Sequence, residues 1–317
     1  MSARVLRSLG WLLLAVILAG FVLQWIADGG VFASATAWIA LPIVAAVAAS
    51  WMALHGLSPV PGRAAGIAVP ILFGTVLLWL WQVLVTGFQV PQILLPAPSQ
   101  IGARFAASTD TLWVDFVQTF IRSAIPGFLI GSGAGFLTAV AIDRSPFLQR
   151  GLLPLGSAVS AMPIVGIAPI MIMWFGFDWH SKAAVVVVMT FFPMLVNALA
   201  GLEAAGAMER DLMRSYAASY WQTLRKLRLP GALPFIFNAL KLNATLALIG
   251  AIVAEFFGTP IYGMGFRIST EVARLNVDMV WATILVAAIA GSASYGLLAL
   301  VERATTFWHP SMRQAER

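Results

Sequence analysis

Residues 183–202 read AAVVVVMTFFPMLVNALAGL, an unbroken run without a single charged side chain. A helix of this length rises about 30 Å, the thickness of a bilayer's hydrocarbon core, and a helix satisfies its backbone polar groups within its own segment. Working outward, comparable apolar stretches occupy residues 11–27, 33–54, 66–85, 119–142, 152–175, 235–257 and 280–300. The sequence therefore predicts an all-α membrane protein of about eight transmembrane helices. Composition agrees: 60% of the 317 residues are hydrophobic, 10% are charged and mean hydropathy is +0.89, too little polar surface for a water-soluble domain of this size.

The basic residues orient the chain, because cytoplasmic segments near the membrane carry the excess of lysine and arginine. With the N-terminus inside, the cytoplasmic loops hold Arg4, Arg7, Arg63, Arg144, Arg150, Arg210, Arg214, Arg225, Lys226, Arg228, Arg303, Arg313 and Arg317, most of the 19 basic residues. Both termini are assigned to the cytoplasm. Arg104, Lys182, Arg267 and Arg274 fall in outer loops, while Arg122 and Lys241 lie close to helix ends from which they can snorkel. Arg4 and Arg7 before the first apolar run also fit a cleavable signal, with Ala33-Ser34-Ala35 as small residues for cutting. The further spans that follow at once favour a retained helix.

Several function classes fall away. The net charge of +6 is scattered between apolar stretches rather than gathered into a stripe that tracks phosphates, so nucleic acid is not a partner. The chain has no cysteine, which removes disulfides and thiol-based metal or redox sites. His55, His180 and His309 are too far apart in sequence to suggest a metal site, and no clustered His, Asp or Ser constellation suggests a catalytic residue. No Gly-x-x-x-x-Gly-Lys-Ser/Thr phosphate loop occurs, so ATP is not hydrolysed by that route here.

Three regions follow: N-terminal transmembrane helices in residues 1–86, an outer linker with a surface helix in 87–118, and a core in 119–310. Ser99 can cap the surface helix. The longest charged inner connection, residues 203–230, reads as two short helices. Residues 211–216 form the first, Ala217-Ala218-Ser219 a small-residue turn with Ser219 as cap, and residues 220–229 the second until Pro230 stops it. Tyr216, Tyr220 and Trp221 beside arginines suit a protein interface, and an amphipathic helix resting on anionic lipid is the alternative.

This connection resembles the loop motif of permeases from binding-protein-dependent ABC importers: Glu-Ala-Ala, three residues, Gly, nine residues, Ile, any residue, Leu-Pro. Asp211, Leu212 and Met213 stand at the first three positions, Ala217 at the glycine, Leu227 at the isoleucine, and Leu229-Pro230 at the end. Further resemblance runs from about residue 95 to 310. It includes Leu95-Pro96-Ala97-Pro98-Ser99-Gln100, Met162-Pro163-Ile164, Trp174-Phe175-Gly176, Phe192-Pro193, Ala218-Ser219-Tyr220-Trp221-Gln222 and Val253-Ala254-Glu255-Phe256-Phe257-Gly258. Together these are similar to the nitrate, sulfonate or taurine, and thiamine-precursor group.

The resemblance implies a six-span permease core preceded by two extra N-terminal helices, in the bacterial inner membrane. It implies partners too: ABC ATPase subunits that use ATP and Mg, a periplasmic or lipid-anchored binding protein, and a second permease copy or related permease, all in contact with membrane lipid. This chain itself would bind no cofactor. The coupling helices would dock the ATPase through Asp211, Arg214, Tyr216, Ala217, Ala218, Ser219 and Trp221, with Leu229 and Pro230 setting the return into the membrane.

Polar groups inside spans mark a pathway, because they persist in hydrocarbon only beside protein or water. Asn197 lies in the sixth span and Asn238, Thr245 and Glu255 lie in the seventh. At about 100° per residue Asn238, Lys241 and Thr245 share one side, with Glu255 close to it and Asn243 nearly opposite. Glu255 reads either as a proton or substrate-amine partner or as an interfacial carboxylate near the outer end. Pro154, Pro163 and Pro169 interrupt the fifth span, and Met162 and Trp174 beside them can stack on a flat ring. A pathway poor in fixed positive charge suits a small organic nutrient such as a pyrimidine-type vitamin precursor or related heterocycle. Nitrate, taurine and alkanesulfonates are the alternatives within the class. An ion-coupled secondary transporter is the alternative outside it, and would need intramembrane carboxylates near the midplane.

Overall fold

A computed structural model describes residues 3–29, 40–60, 63–145, 147–148, 150–151, 162–258 and 261–308. Within them the chain forms α1 (Ala3–Ala27), α2 (Ala40–Leu57), α3 (Arg63–Gly87), α4 (Pro98–Ala107), α5 (Thr109–Arg144), α6 (Ile164–Phe175), α7 (Trp179–Glu203), α8 (Ala207–Ser215), α9 (Tyr220–Glu255), α10 (Met264–Ala273) and α11 (Val277–Thr305). Helices α1, α2, α3, α5, α7, α9 and α11 are long and apolar enough to cross a membrane. The expected fifth span is represented by α6, its C-terminal half; residues 152–161, including Pro154, lie outside the described residues, as do residues 33–39 of the expected second span.

Two compact units form, residues 1–107 with 275–282 and residues 108–274 with 283–317. In the first, α1 and α2 pair through small residues: Ala46, Ala49 and Ala53 are buried at helical spacing, and Ser8 of α1 lies against Gly56 of α2. The outward face of α1 carries Leu13, Val16 and Ile17, each more than 60% exposed, as a lipid-facing helix requires. Ser99 is not the cap of the surface helix. Helix α4 starts one residue earlier, at Pro98, and Gln82 of α3 does the capping: its Oε1 accepts from the Ser99 N–H at 3.0 Å and its Nε2 donates to the Ser99 hydroxyl at 3.1 Å.

The second unit is built on α5, α7 and α9. Its close packing comes from a stripe on α5, Gly127, Gly131 and Gly135, at four-residue intervals that keep one face toward α7. A Cβ on Gly131 would lie 2.1 Å from the Thr190 hydroxyl, and one on Gly135 would lie 2.3 Å from the Phe191 carbonyl. Ala139, Met194, Leu195, Ala198 and Ala239 continue the three-helix contact. At its centre the fully buried Asn243 of α9 donates to the Ser132 hydroxyl of α5 at 2.9 Å and to the Thr190 carbonyl of α7 at 2.7 Å. The side of Asn243 opposite Lys241 thus faces neighbouring helices.

Helices α5 and α9 are each 36 residues long, more than a bilayer needs, and each contains one π-helical stretch, Val117–Ala124 and Leu224–Arg228. This corrects two expectations. Residues 109–118 are not part of a linker but the first turns of α5. Pro230 does not stop a helix, because the chain runs through it from Tyr220 to Glu255. A proline's ring crowds the carbonyl four residues back and lacks an N–H. Here the wider π-turn ends immediately before it, with the Leu229 N–H bonded to the Leu224 carbonyl, and α9 continues.

Candidate functional site

The site begins where α8 ends. Helix α8 buries none of its residues, and its chemistry explains why: Glu209, Arg210, Asp211 and Arg214 leave only scattered apolar positions. Asp211 and Arg214 pair at 3.2 Å with both side chains open to solvent. The helix terminates at Tyr216–Ala217. The Ala217 N–H bonds to the Arg214 carbonyl at 2.8 Å and the Ala218 N–H to the Met213 carbonyl at 3.0 Å, the paired bonds of a Schellman end. Such an end requires a left-handed residue, usually glycine, and Ala217 takes it at φ +50°. The residue standing at the motif's glycine is the one whose backbone needs a glycine conformation.

Ser219 then caps the second helix as expected. Its hydroxyl accepts from the Gln222 N–H at 3.3 Å while the Gln222 side chain accepts from the Ser219 N–H at 2.8 Å, a reciprocal capping box. The turn presents Tyr216, 79% exposed, together with Leu212 and Trp221, both at least half exposed. Tyr220 does not join them. It turns inward, its hydroxyl donating to Asp143 Oδ2 at 2.8 Å. Leu229 and Pro230 are half-buried within α9.

Beneath the turn lies a tie absent from the sequence reading. Arg228 donates through both terminal nitrogens to Asp143 at the end of α5, one of them at 2.7 Å, and through Nε to the Leu202 carbonyl of α7 at 2.9 Å. The pair is nearly closed to solvent, at 12% and 6% side-chain exposure. Next to it the Arg144 guanidinium lies 5.8 Å from the Tyr220 ring centre and 5.9 Å from that of Trp221.

The pathway candidates separate into two groups. On α9, Asn238 is exposed and Thr245 is half-buried, its hydroxyl bonded to the Leu242 carbonyl; Lys241 between them pairs with Glu302 of α11 at 2.7 Å. Just before α6, Met162 is 55% exposed and Pro163 stands at the N-cap, so the described part of the expected fifth span is helical only after Pro163; on α6 itself Trp174 is 69% exposed and Pro169 is accommodated within the helix. Asn197 is half-buried and donates to the Pro193 carbonyl of its own helix at 2.8 Å.

Glu255 stands apart from this open face. It is 2% exposed and belongs to a second tie, at the outer end of α9. The Thr119 hydroxyl, in the π-stretch of α5, donates to the Glu255 carboxylate at 2.8 Å and accepts from the Met264 N–H at 2.7 Å. The Gly265 N–H donates to Glu255 at 2.7 Å, and the Gly263 N–H to Asp115 of α5 at 2.9 Å. Side chains from α5 and α9 thus satisfy the orphan donors at the start of α10. Gly263 is required there: it has φ +128°, and a Cβ would lie 2.6 Å from the Glu255 carboxyl carbon. Arg267 is likewise no loop residue. It lies on α10 and donates to Asp115 at 2.7 Å. Burial works to lower its pKa, but the hydrogen bond and charge of Asp115, helped by Glu271, raise it above the ordinary arginine value. Lys182, expected in an outer loop, is fully buried in the first turn of α7 and donates to the Phe177 and Asp178 carbonyls.

Residues 127–307 match the family described as binding-protein-dependent transport system inner membrane component. The chain belongs to that family, the permeases of ABC transporters. It is 30% identical to a probable ABC transporter permease of Haemophilus influenzae, over 68% of this chain and 88% of that one. It is 29% identical to a riboflavin transport system permease of Chloroflexus aurantiacus, over 78% and 91%. A formylaminopyrimidine transport permease of Halalkalibacterium halodurans is 27% identical, over 75% and 95%. The chain is a multi-pass inner-membrane transport subunit of a family that is not catalytic.

Proposed function

We propose that this chain is the membrane-spanning subunit of an ATP-driven importer for a small organic nutrient, and that α8 and the turn to Trp221 form its docking element for a separate ATPase. The observation that carries this reading is the turn itself. A helix that buries none of its own residues, ending in a left-handed Ala217 and flanked by Leu212, Tyr216 and Trp221, each at least half exposed, presents aromatic and apolar anchors toward solvent. Asp211 and Arg214 give the surface one charge of each sign, and small Ala217, Ala218 and Ser219 allow close approach. Leu229 and Pro230 contribute by fixing where α9 enters the membrane. ATP and Mg would be used by the partner, and a binding protein and a second permease chain would complete the assembly.

The substrate reading is a flat, neutral or weakly charged heterocycle, reached past Met162 and Pro163 at the start of α6, Trp174 on α6, and Asn197, Asn238 and Thr245 on α7 and α9. Support comes from charge. Lys182, Arg228 and Lys241 are each taken up by the chain's own carbonyls or carboxylates, which disfavours a site for a dianion beside them, while the exposed Arg122 of α5 meets, among the described residues, only the Gln118 amide oxygen at 3.5 Å. Two relatives bear the names of riboflavin and formylaminopyrimidine systems, although others are named for taurine and aliphatic sulfonates. An ion-coupled transporter working through Glu255 fits less well, because that carboxylate is engaged by Thr119 and Gly265.

The test is co-purification from the native host of the solubilised chain and of a variant carrying Asp211→Lys and Arg214→Glu. The exchange keeps an exposed pair but inverts the charges shown to a partner. Recovery of an ATPase with the parent and not with the variant is expected. A folded parent that recovers no ATPase would overturn the reading and turn attention to gradient-driven uptake.

A further inference from the structure

Asp143 is misplaced by the rules of an isolated helix. A carboxylate in the last turn of α5 faces the negative end of the helix dipole, and it is nearly removed from water. Its three donors explain its presence. Arg228 and Tyr220 both belong to the first turns of α9, immediately after the exposed turn, and Arg228 also holds the Leu202 carbonyl at the end of α7. One carboxylate and one guanidinium therefore join the inner ends of α5, α7 and α9, while α8 buries none of its own residues among those described. The wide π-turn at Leu224–Arg228 lies between the exposed turn and the regular part of α9, so Arg228 is fixed at the point where that helix is least regular. The outer ends of the same α5 and α9 are joined again through Thr119 and Glu255.

We infer that Asp143 is a positioning residue of the transport cycle: with Arg228 and Tyr220 it locks the base of the docking element to α5 and α7, so that a displacement of the turn moves the three helices as one body up to the Glu255 end. This rests on the docking role proposed above. Removing the tie separates ATP turnover from helix movement without detaching the ATPase, since none of the three side chains belongs to the exposed surface of the turn.

The absence of cysteine permits a direct test. Ile261, 67% exposed beyond the outer end of α9, is replaced as Ile261→Cys, and its labelling by a membrane-impermeant maleimide is followed in the chain purified with its ATPase in lipid nanodiscs. Labelling with and without Mg-ATP plus vanadate is compared. The parent is expected to show a nucleotide-dependent difference. Adding Asp143→Asn is expected to abolish it while ATPase recovery and hydrolysis persist, and Tyr220→Phe, which spares the ion pair, is expected to shrink it. An unchanged difference in Asp143→Asn would overturn the inference, as would a parent with active ATPase and no response. Should Asp143→Asn fail to assemble, Tyr220→Phe decides in the same two directions. A parent that recovers no ATPase sinks the docking reading itself, and this inference with it, a result distinct from retained hydrolysis without movement.

Discussion

Helix α9 is tied to α5 at both ends by a buried carboxylate, and the two ties are made differently. At the inner end Asp143 meets a charged partner, Arg228, through paired hydrogen bonds, and the donors are side chains on the run leaving the docking turn. At the outer end Glu255 meets a hydroxyl and a backbone N–H, and the tie closes the start of α10. An ion pair cannot lose one member without stranding a buried charge, whereas a carboxyl held by neutral donors can be replaced by an amide that keeps part of the network. Of the two carboxylates Asp143 is thus the one hydrogen-bonded to a charged partner, whereas at the outer end the ion pair belongs to Asp115 and Arg267, and Asp143 lies where the proposed input arrives.

The comparison is sharpened most by removing Arg228. Arg228→Ala leaves Asp143 buried and unpaired and is expected to lower stability by about 3–5 kcal/mol, read as a large drop in thermal midpoint in detergent. Glu255→Gln is expected to lose less, about 1–3 kcal/mol, because the amide oxygen still accepts from Thr119 or Gly265. If Glu255→Gln proved the more damaging of the two, the contrast between the ends would be wrong. Gly131→Ala places a methyl against the Thr190 hydroxyl and should destabilise by about 1–3 kcal/mol, showing that the middle of the bundle depends on close packing rather than charge.

Smaller effects belong to the turn. Ala217→Gly is expected to raise stability by about 1 kcal/mol through relief of the left-handed strain, without loss of ATPase recovery. Tyr216→Ala should change the thermal midpoint little, within about 0.5 kcal/mol, since the ring is almost wholly exposed, yet it should weaken recovery of the ATPase. A large loss of stability from Tyr216→Ala would mean that the turn is a structural element after all.

Much of this molecule could be read from the chain because hydrocarbon imposes simple demands. Runs such as 183–202 announce themselves by length and lack of charge, and the capping box at Ser219 follows from local spacing. What stayed hidden required partners distant in sequence. Glu255 looked shallow and solitary because Thr119 lies 136 positions away, and Asp143 drew no attention with Arg228 85 positions away. Residues 109–118 read as the end of a linker, although Asp115 is fully buried against Gly263 and Arg267. Pro230 read as a stop because proline usually is one, and only the preceding π-turn explains its accommodation. The Gly127–Gly131–Gly135 spacing went unread, because its meaning depends on α7 lying opposite.

The most direct test of the docking turn places a single thiol at its tip. Tyr216→Cys in the otherwise cysteine-free chain is treated in native membranes with a short thiol-to-amine cross-linker, with Ile261→Cys at the opposite end as the reference position. The account predicts an adduct with an ATPase subunit from Tyr216→Cys alone, abolished by the Asp211→Lys and Arg214→Glu exchange. An inserted, folded Tyr216→Cys chain that forms no such adduct would contradict it.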